Sequence, residues 1–204
     1  MDKRLSQKVY DTIVNNIITG KYNQDTVITE SELVRSLGVS RSPVREALVL
    51  LCREGILYSI PRFGYRLKIT NRKYLDEIIQ FRLIMETSYL DKYFDTITER
   101  DIENIENKMV TMERDEFETP SEYWEKTSLF HLELAYSYRD QYFYEMLERI
   151  LDQHWITFSM LYWDNWSALV DSRLVNYHKG VLDAIKAGDK EKAIDVLTKD
   201  IMSF

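Results

Sequence analysis

The sequence predicts a mainly α-helical protein in two parts: a small helical head closed by a β-hairpin, then a larger antiparallel helical bundle. Three observations carry that expectation. Between Thr29 and Lys68, two short amphipathic runs meet at Gly38, and two apolar runs flank Pro61–Gly64. From Asn71 onward, only Gly180, Gly188 and Pro120 interrupt apolar residues recurring at three-and-four spacing, the period of packed helices. The charge divides along the same line. Residues 1–70 hold 11 Lys/Arg against 7 Asp/Glu, a net of +4, whereas the remainder holds 16 against 27, a net of −11. The domains are therefore expected at 1–70 and 71–204. A basic head on an acidic body suits a DNA-binding module joined to a sensing or dimerising one.

In the head, Thr29 and Glu32 have the spacing of a capping box, and Leu33 and Leu37 give the helix they open an apolar face. Gly38 can take the left-handed conformation that stops this helix. A second helix opens with Ser40-Arg41-Ser42-Pro43, with Pro43 suited to the first helical position because its missing amide would have no partner there. Val44, Leu48, Leu51 and Cys52 form its buried side. Arg41 and Arg45, four residues apart, project from its exposed N-terminal end. After Gly55, Ile56–Ile60 and Tyr65–Ile69 read as two strands, and Gly64 supplies a positive backbone angle at the tip between them.

This order is that of a winged helix-turn-helix, which places its second motif helix in the major groove. Arg presents a planar fork to the two acceptors of guanine, while Ser40 and Ser42 can donate to phosphates at a helix N-terminus. Arg62 and Arg66, at the hairpin, are candidates for contacts with the sugar-phosphate backbone or minor groove. The competing reading is a solvated helix with two surface arginines.

In the second half, helices are expected at 72–94, 98–115, 120–138, 140–166, 169–187 and 189–202. Within the first, the stripe Leu75, Ile79, Arg82, Glu86, Leu90, Tyr93 sets two opposite charges one turn apart in an apolar seam. Such a pair either compensates itself in the core or faces a polar cavity, where Arg82 could grip an effector's carboxylate. His154 lies on the stripe Phe143, Leu147, Ile150, Phe158, Leu161 and reads as core or pocket lining. The run HWITFSMLYWDNW, with Trp163 and Trp166, reads as core, pocket wall or dimer interface.

The motif ESELVRSLGVSRSPVREAL, followed by L-x-x-x-G-I-L and a wing with F-G-Y, resembles the DNA-binding domain of the GntR family of bacterial transcription regulators. With the helical second half, the resemblance points to the FCD branch and covers nearly the whole chain. It implies DNA contacts at Ser40, Arg41, Ser42, Arg45 and the wing at Phe63-Gly64. Relatives often carry Arg where this chain has Ser31, which leaves Arg35 as a substitute. Arg82 and Glu86 match the R-x-x-x-E typical of the bundle's first helix. Many FCD regulators bind a divalent metal through an Asp, a His four residues later, and two further His. Here Thr127 takes the Asp position and Asp200 the last His position. What remains is His131, His178 and Asp200, which with water would satisfy zinc, nickel or manganese. Thr127 could hydrogen-bond a water or the effector. Two alternatives stay open: His131 is a hydrogen-bonded core residue on the face of Leu134 and Tyr138, or the metal is lost and an organic anion binds directly, the effector-binding set being Arg82, Thr127, His131 and His178.

Function follows as an expectation: a transcription regulator, in the repressor mode. It would act as a homodimer on palindromic double-stranded operator DNA, with a small carboxylate effector in the bundle shifting operator affinity. Two alternatives stand beside it. A metal-dependent hydrolase could use His131, His178 and Asp200, but no activated nucleophile or placed general base accompanies them. A ligand-independent architectural DNA-binding protein would show no pocket. Cys52, the single cysteine, reads as a small core residue and fits a reducing cytosol. The start MDKRLSQKVYDTIVNNII lacks a signal peptide's apolar core, and no 18 apolar residues run together, so a cytoplasmic protein with no membrane partner is expected.

Overall fold

The structure, a computed structural model, describes residues 3–68, 70–113, 120–162 and 174–203. It is mainly helical with one two-stranded antiparallel hairpin. The elements are α1 (Lys3–Ile18), α2 (Glu30–Leu37), α3 (Arg41–Arg53), β1 (Leu57–Ile60), β2 (Gly64–Leu67), α4 (Arg72–Tyr93), α5 (Glu99–Glu113), α6 (Pro120–Ser137), α7 (Gln141–Tyr162), α8 (Leu174–Lys186) and α9 (Lys190–Ile201). A 3₁₀ turn, Phe94–Thr96, follows α4. The chain divides into two compact units. One takes in α1 to the start of α4 together with α7 from Gln153, and the other holds the rest of the bundle.

Helix α1, unassigned from the sequence, anchors the head by burying Val9, Ile13 and Ile17 at four-residue spacing. These meet Leu33 of α2, Val44, Leu48 and Leu51 of α3, and Leu57 and Leu67 of the hairpin in one core. Ile156 of α7 joins the same core, with Trp155 and Met160 packed against it. Thr29 caps α2 as expected: its Oγ1 accepts from the Glu32 N–H at 3.3 Å and donates to the Glu32 carboxylate at 2.9 Å. Gly38 ends the helix with φ 65°.

Helix α3 begins at Arg41, so Pro43 is its third residue rather than its first. The strands are also offset from the expected 56–60 and 65–69. Leu57 pairs with Leu67 and Ile60 with Gly64, while Ile69 lies outside the described residues. The tip is tighter than foreseen, with positive φ at Arg62 (69°) as well as Gly64 (133°). Ile28 and Tyr65 exchange backbone hydrogen bonds of 2.8 Å, adding a one-residue third strand. That bridge brings the Ile28 carbonyl so close that a Cβ on Gly64 would sit 2.5 Å from it.

In the bundle, α9 packs on α8, α5 packs on α6, and both α5 and α6 touch α8. Five of the six stripe residues on α4 are buried, Leu75, Ile79, Arg82, Glu86 and Leu90 all at most 5% exposed, whereas Tyr93 at the end of the helix is half-buried. Asp189 caps α9 by accepting from the Lys192 N–H at 3.0 Å. The helix starts and ends fall within a few residues of expectation, apart from 163–173, which lie outside the described residues along with Trp163 and Trp166.

Candidate functional sites: the recognition face and the buried histidine cluster

The N-terminal end of α3 presents the residues expected to meet DNA. Ser40 is the N-cap, yet its hydroxyl makes no capping hydrogen bond. Part of the reason lies three residues on. An N-cap side chain accepts from the second or third helical N–H; Pro43 at the third position has none, which leaves the Ser42 N–H as the one donor in reach, and it is not used. The Ser40 hydroxyl is exposed and engaged in no cap. Arg41 and Ser42 are exposed beside it, with the Ser42 hydroxyl donating to Glu46 Oε1 at 3.1 Å. Arg45 keeps 64% of its side chain exposed, but its Nε donates to both carboxylate oxygens of Glu30, at 3.0 and 3.2 Å. The hydrogen bond to Glu30, then its charge, raises the Arg45 pKa above the usual arginine value. The Glu30 partner is not legible in the sequence, because a contact spanning fifteen residues leaves no periodic signal.

At the wing, Phe63 is 72% exposed beside exposed Arg62 and the close-packed Gly64. Arg35, also exposed, borders a groove of about 490 Å³ with Thr12, Lys21 and Thr26.

In the bundle, four helices deliver a buried polar chain. Arg82 and Glu86 come from α4, His131 from α6, His178 from α8 and Asp200 from α9, each at most 4% exposed. Arg82 Nε donates to Glu86 Oε1 at 2.9 Å, the internal salt bridge that the spacing allowed. The other Glu86 oxygen lies 2.7 Å from His131 Nδ1, a link not foreseen. The far ring nitrogen, His131 Nε2, is 3.1 Å from Asp200 Oδ2, and His178 Nε2 is 3.3 Å from Asp200 Oδ1. These approaches lie off the line of a hydrogen bond, so both Asp200 oxygens and both His178 nitrogens are buried without a hydrogen-bond partner. Phe130 stacks on the His178 ring at 4.2 Å between centroids. Thr127, one turn before His131, is also buried, and its hydroxyl donates to the Trp124 carbonyl at 3.1 Å, leaving only acceptor capacity. His154 is fully buried on α7 in the other unit, matching the core reading.

The electrostatics follow from this chain. Burial works to lower the His131 pKa, but the charge of Glu86 and the contacts with Asp200 and Glu86 outweigh it and hold the ring at about 9, from an ordinary 6.5. Burial works to raise Glu86, and Arg82 and His131 overcome it, so its carboxyl titrates below the usual range. Asp200 is lowered in the same way, burial being overcome by the two imidazoles. For His178 burial wins and its pKa falls, which keeps the ring neutral and its nitrogens available as ligands.

His131, His178 and Asp200 each offer one ligand atom, all within 4.8 Å of one another. Two imidazoles and a carboxylate form a donor set suited to a borderline divalent ion, and the orphaned buried atoms of His178 and Asp200 are what such an ion would satisfy. Glu86 sits where a carboxylate behind a ligating histidine usually sits, holding Nδ1 so that Nε2 faces the site. The residues present fit a metal.

Comparison with known proteins finds two family matches along the chain. The family described as "Bacterial regulatory proteins, gntR family" matches residues 5–67, and the FCD domain matches residues 77–201. The chain is similar to YdhC of Bacillus subtilis, an uncharacterised HTH-type transcriptional regulator, at 30% identity over 52% of this chain. The matched stretch spans 47% of that relative, about half its length. It is also similar to the gluconate operon transcriptional repressor of Bacillus subtilis, at 24% identity over 89% of this chain and 75% of that one. Among solved structures, Escherichia coli McbR/YncC superposes with a TM-score of 0.71 at 20% identity, covering 97% of this chain and 93% of that one. Lar of Listeria monocytogenes superposes with a TM-score of 0.65 at 21% identity, covering 98% and 94%. No helix among the described residues is long and apolar enough to cross a membrane.

Proposed function

The chain belongs to the GntR family of bacterial transcription regulators and carries its FCD domain, and from that premise we propose that it is a homodimeric, effector-controlled repressor reading a palindromic operator. The observation carrying this reading is the N-terminal end of α3. There the Ser40 hydroxyl is engaged in no cap, Arg41 and Arg45 are exposed, and Phe63 stands out on the wing. One such head reads only a few base pairs, so two heads on two half-sites give useful affinity and impose a palindrome. Exposed apolar Phe81 (50%) and Ile84 (64%) on α4 support a dimer interface in the helical half. The gluconate operon repressors among its relatives support repression and a carboxylate effector.

In the bundle, His131, His178 and Asp200 would hold a divalent zinc, nickel or manganese ion, which supplies an open, positively charged position for an oxygen ligand. Glu86 orients His131, and Arg82 holds Glu86 in place. Arg82 and Thr127 complete the effector-binding set proposed with the two histidines. Effector binding that differs between two arrangements of the bundle would change operator affinity by a coupling of about 1–3 kcal/mol.

Selection of duplexes from a randomised pool by the full-length protein tests the reading. The expected result is a palindromic consensus bound by two copies of the chain. A selected pool no more tightly bound than the starting pool would refute it.

A further inference from the structure

Arg45 and Glu30 form a constellation on the head that recognition alone does not explain. An arginine aimed at DNA gains nothing electrostatically from a carboxylate beside it. A negative charge on the DNA-facing surface repels phosphates of every sequence alike and weakens binding generally. Glu30 is nevertheless 25% exposed and lies on the Arg45 guanidinium with both oxygens on one nitrogen. The Tyr65 phenol, on β2, is close enough to feel both charges, so the pair sits where α2, α3 and the wing meet.

The geometry of the contact matters. Arg carries five N–H donors in a rigid fork, one on Nε and four on the two terminal nitrogens. Glu30 takes the Nε donor, and the terminal nitrogens carry no hydrogen bond to the described residues. An unrestrained arginine at this place could turn its Nε edge or its end to a phosphate or to a base. With Nε held, only the end-on pair of terminal nitrogens points outward, and that pair matches guanine O6 and N7. Ordering the side chain before DNA arrives also removes part of the conformational cost of binding.

We propose that Glu30 is a positioning residue for DNA recognition, fixing the plane of Arg45 so that its two terminal nitrogens read one guanine rather than grip phosphate. Glu30 thus gives up general affinity for sequence discrimination. This rests on the reading of α3 as the recognition helix.

The test uses the full-length protein, its pool-selected duplex, and poly(dI-dC) as the non-specific duplex. Glu30→Ala should weaken binding to the selected duplex about tenfold or more, the size of one lost base contact. Binding to poly(dI-dC) should be unchanged or tighter, because a negative charge has gone. A renewed selection with Glu30→Ala should lose preference at the same base position that Arg45→Ala loses. Glu30→Gln, which keeps an acceptor oxygen, should recover part of the discrimination. The double variant should be no worse than Arg45→Ala alone, the signature of two residues acting as one unit. Equal tightening on both duplexes would show Glu30 to be only a repulsive charge and overturn the inference. Equal weakening on both, with a lowered melting temperature, would show it to be only a favourable charge in the first turn of α2, and would overturn it too. If Arg45→Ala itself leaves selected-duplex binding intact, it is the recognition reading that fails.

Discussion

Glu86 lies 2.7 Å from Nδ1 of His131, and this contact decides which side of the imidazole faces the bundle site. With Nδ1–H given to the carboxylate, Nε2 is the atom turned toward Asp200 and His178. Arg82 on the other Glu86 oxygen offsets the cost of burying that carboxylate.

Glu86→Gln keeps the shape but removes the charge behind His131. Zinc affinity measured by calorimetry should fall about 10–100-fold, the usual effect of losing a carboxylate behind a metal-ligating histidine. Unchanged affinity would mean that Glu86 serves the core alone.

Protein purified without chelator should carry close to one equivalent of divalent metal by elemental analysis, and His178→Ala or Asp200→Ala should lower it. An ion that binds only the folded chain stabilises it by mass action, so a chelator should lower the melting temperature. Protein that ignores zinc, nickel and manganese in both assays would remove the metal and leave a direct anion site.

The metal-free protein should also respond to alkali. His131 holds its proton to about 9 when folded, against an ordinary 6.5. That proton's stabilisation is full below the unfolded value and is lost as pH rises through the folded one. The melting temperature of chelator-treated protein should therefore decline between pH 6.5 and 9, and zinc affinity should rise over that interval as the displaced proton is held less tightly. A melting temperature flat across that interval contradicts the buried carboxylate–imidazolium chain.

Gly64→Ala should loosen the wing. Its φ of 133° disfavours any side chain, and the new Cβ would meet the Ile28 carbonyl at 2.5 Å. A loss of about 1–3 kcal/mol in denaturant unfolding is expected, as for other strained backbone positions. A neutral substitution would mean that the Ile28–Tyr65 bridge is dispensable.

Much of this was legible in the sequence because the signals were local. The Thr29 cap, the Gly38 stop and the α4 stripe are set by spacing within one element, and each was found. Helix α1 is not singled out by the motif that marks the head: Val9, Ile13 and Ile17 are widely set in a polar run, and their burial comes from the shared core, chiefly against α3. Pro43 is the third residue of α3 and not the first, because Arg41-Ser42 can serve equally as loop or first turn. The two glutamates that organise the sites, Glu30 and Glu86, hold partners 15 and 45 residues away. Spacing places Glu86 in the α4 stripe, but its histidine partner depends on how helices pack, which no periodicity within one helix reports.

The central claim is that the N-terminal end of α3 reads the operator, and fluorescence anisotropy with Arg45→Ala on the pool-selected duplex tests it most directly. Loss of one guanine contact should cost about 1–3 kcal/mol per half-site, bringing binding toward that of poly(dI-dC), with fold and sedimentation unchanged. Affinity equal to that of the unaltered protein would contradict the account.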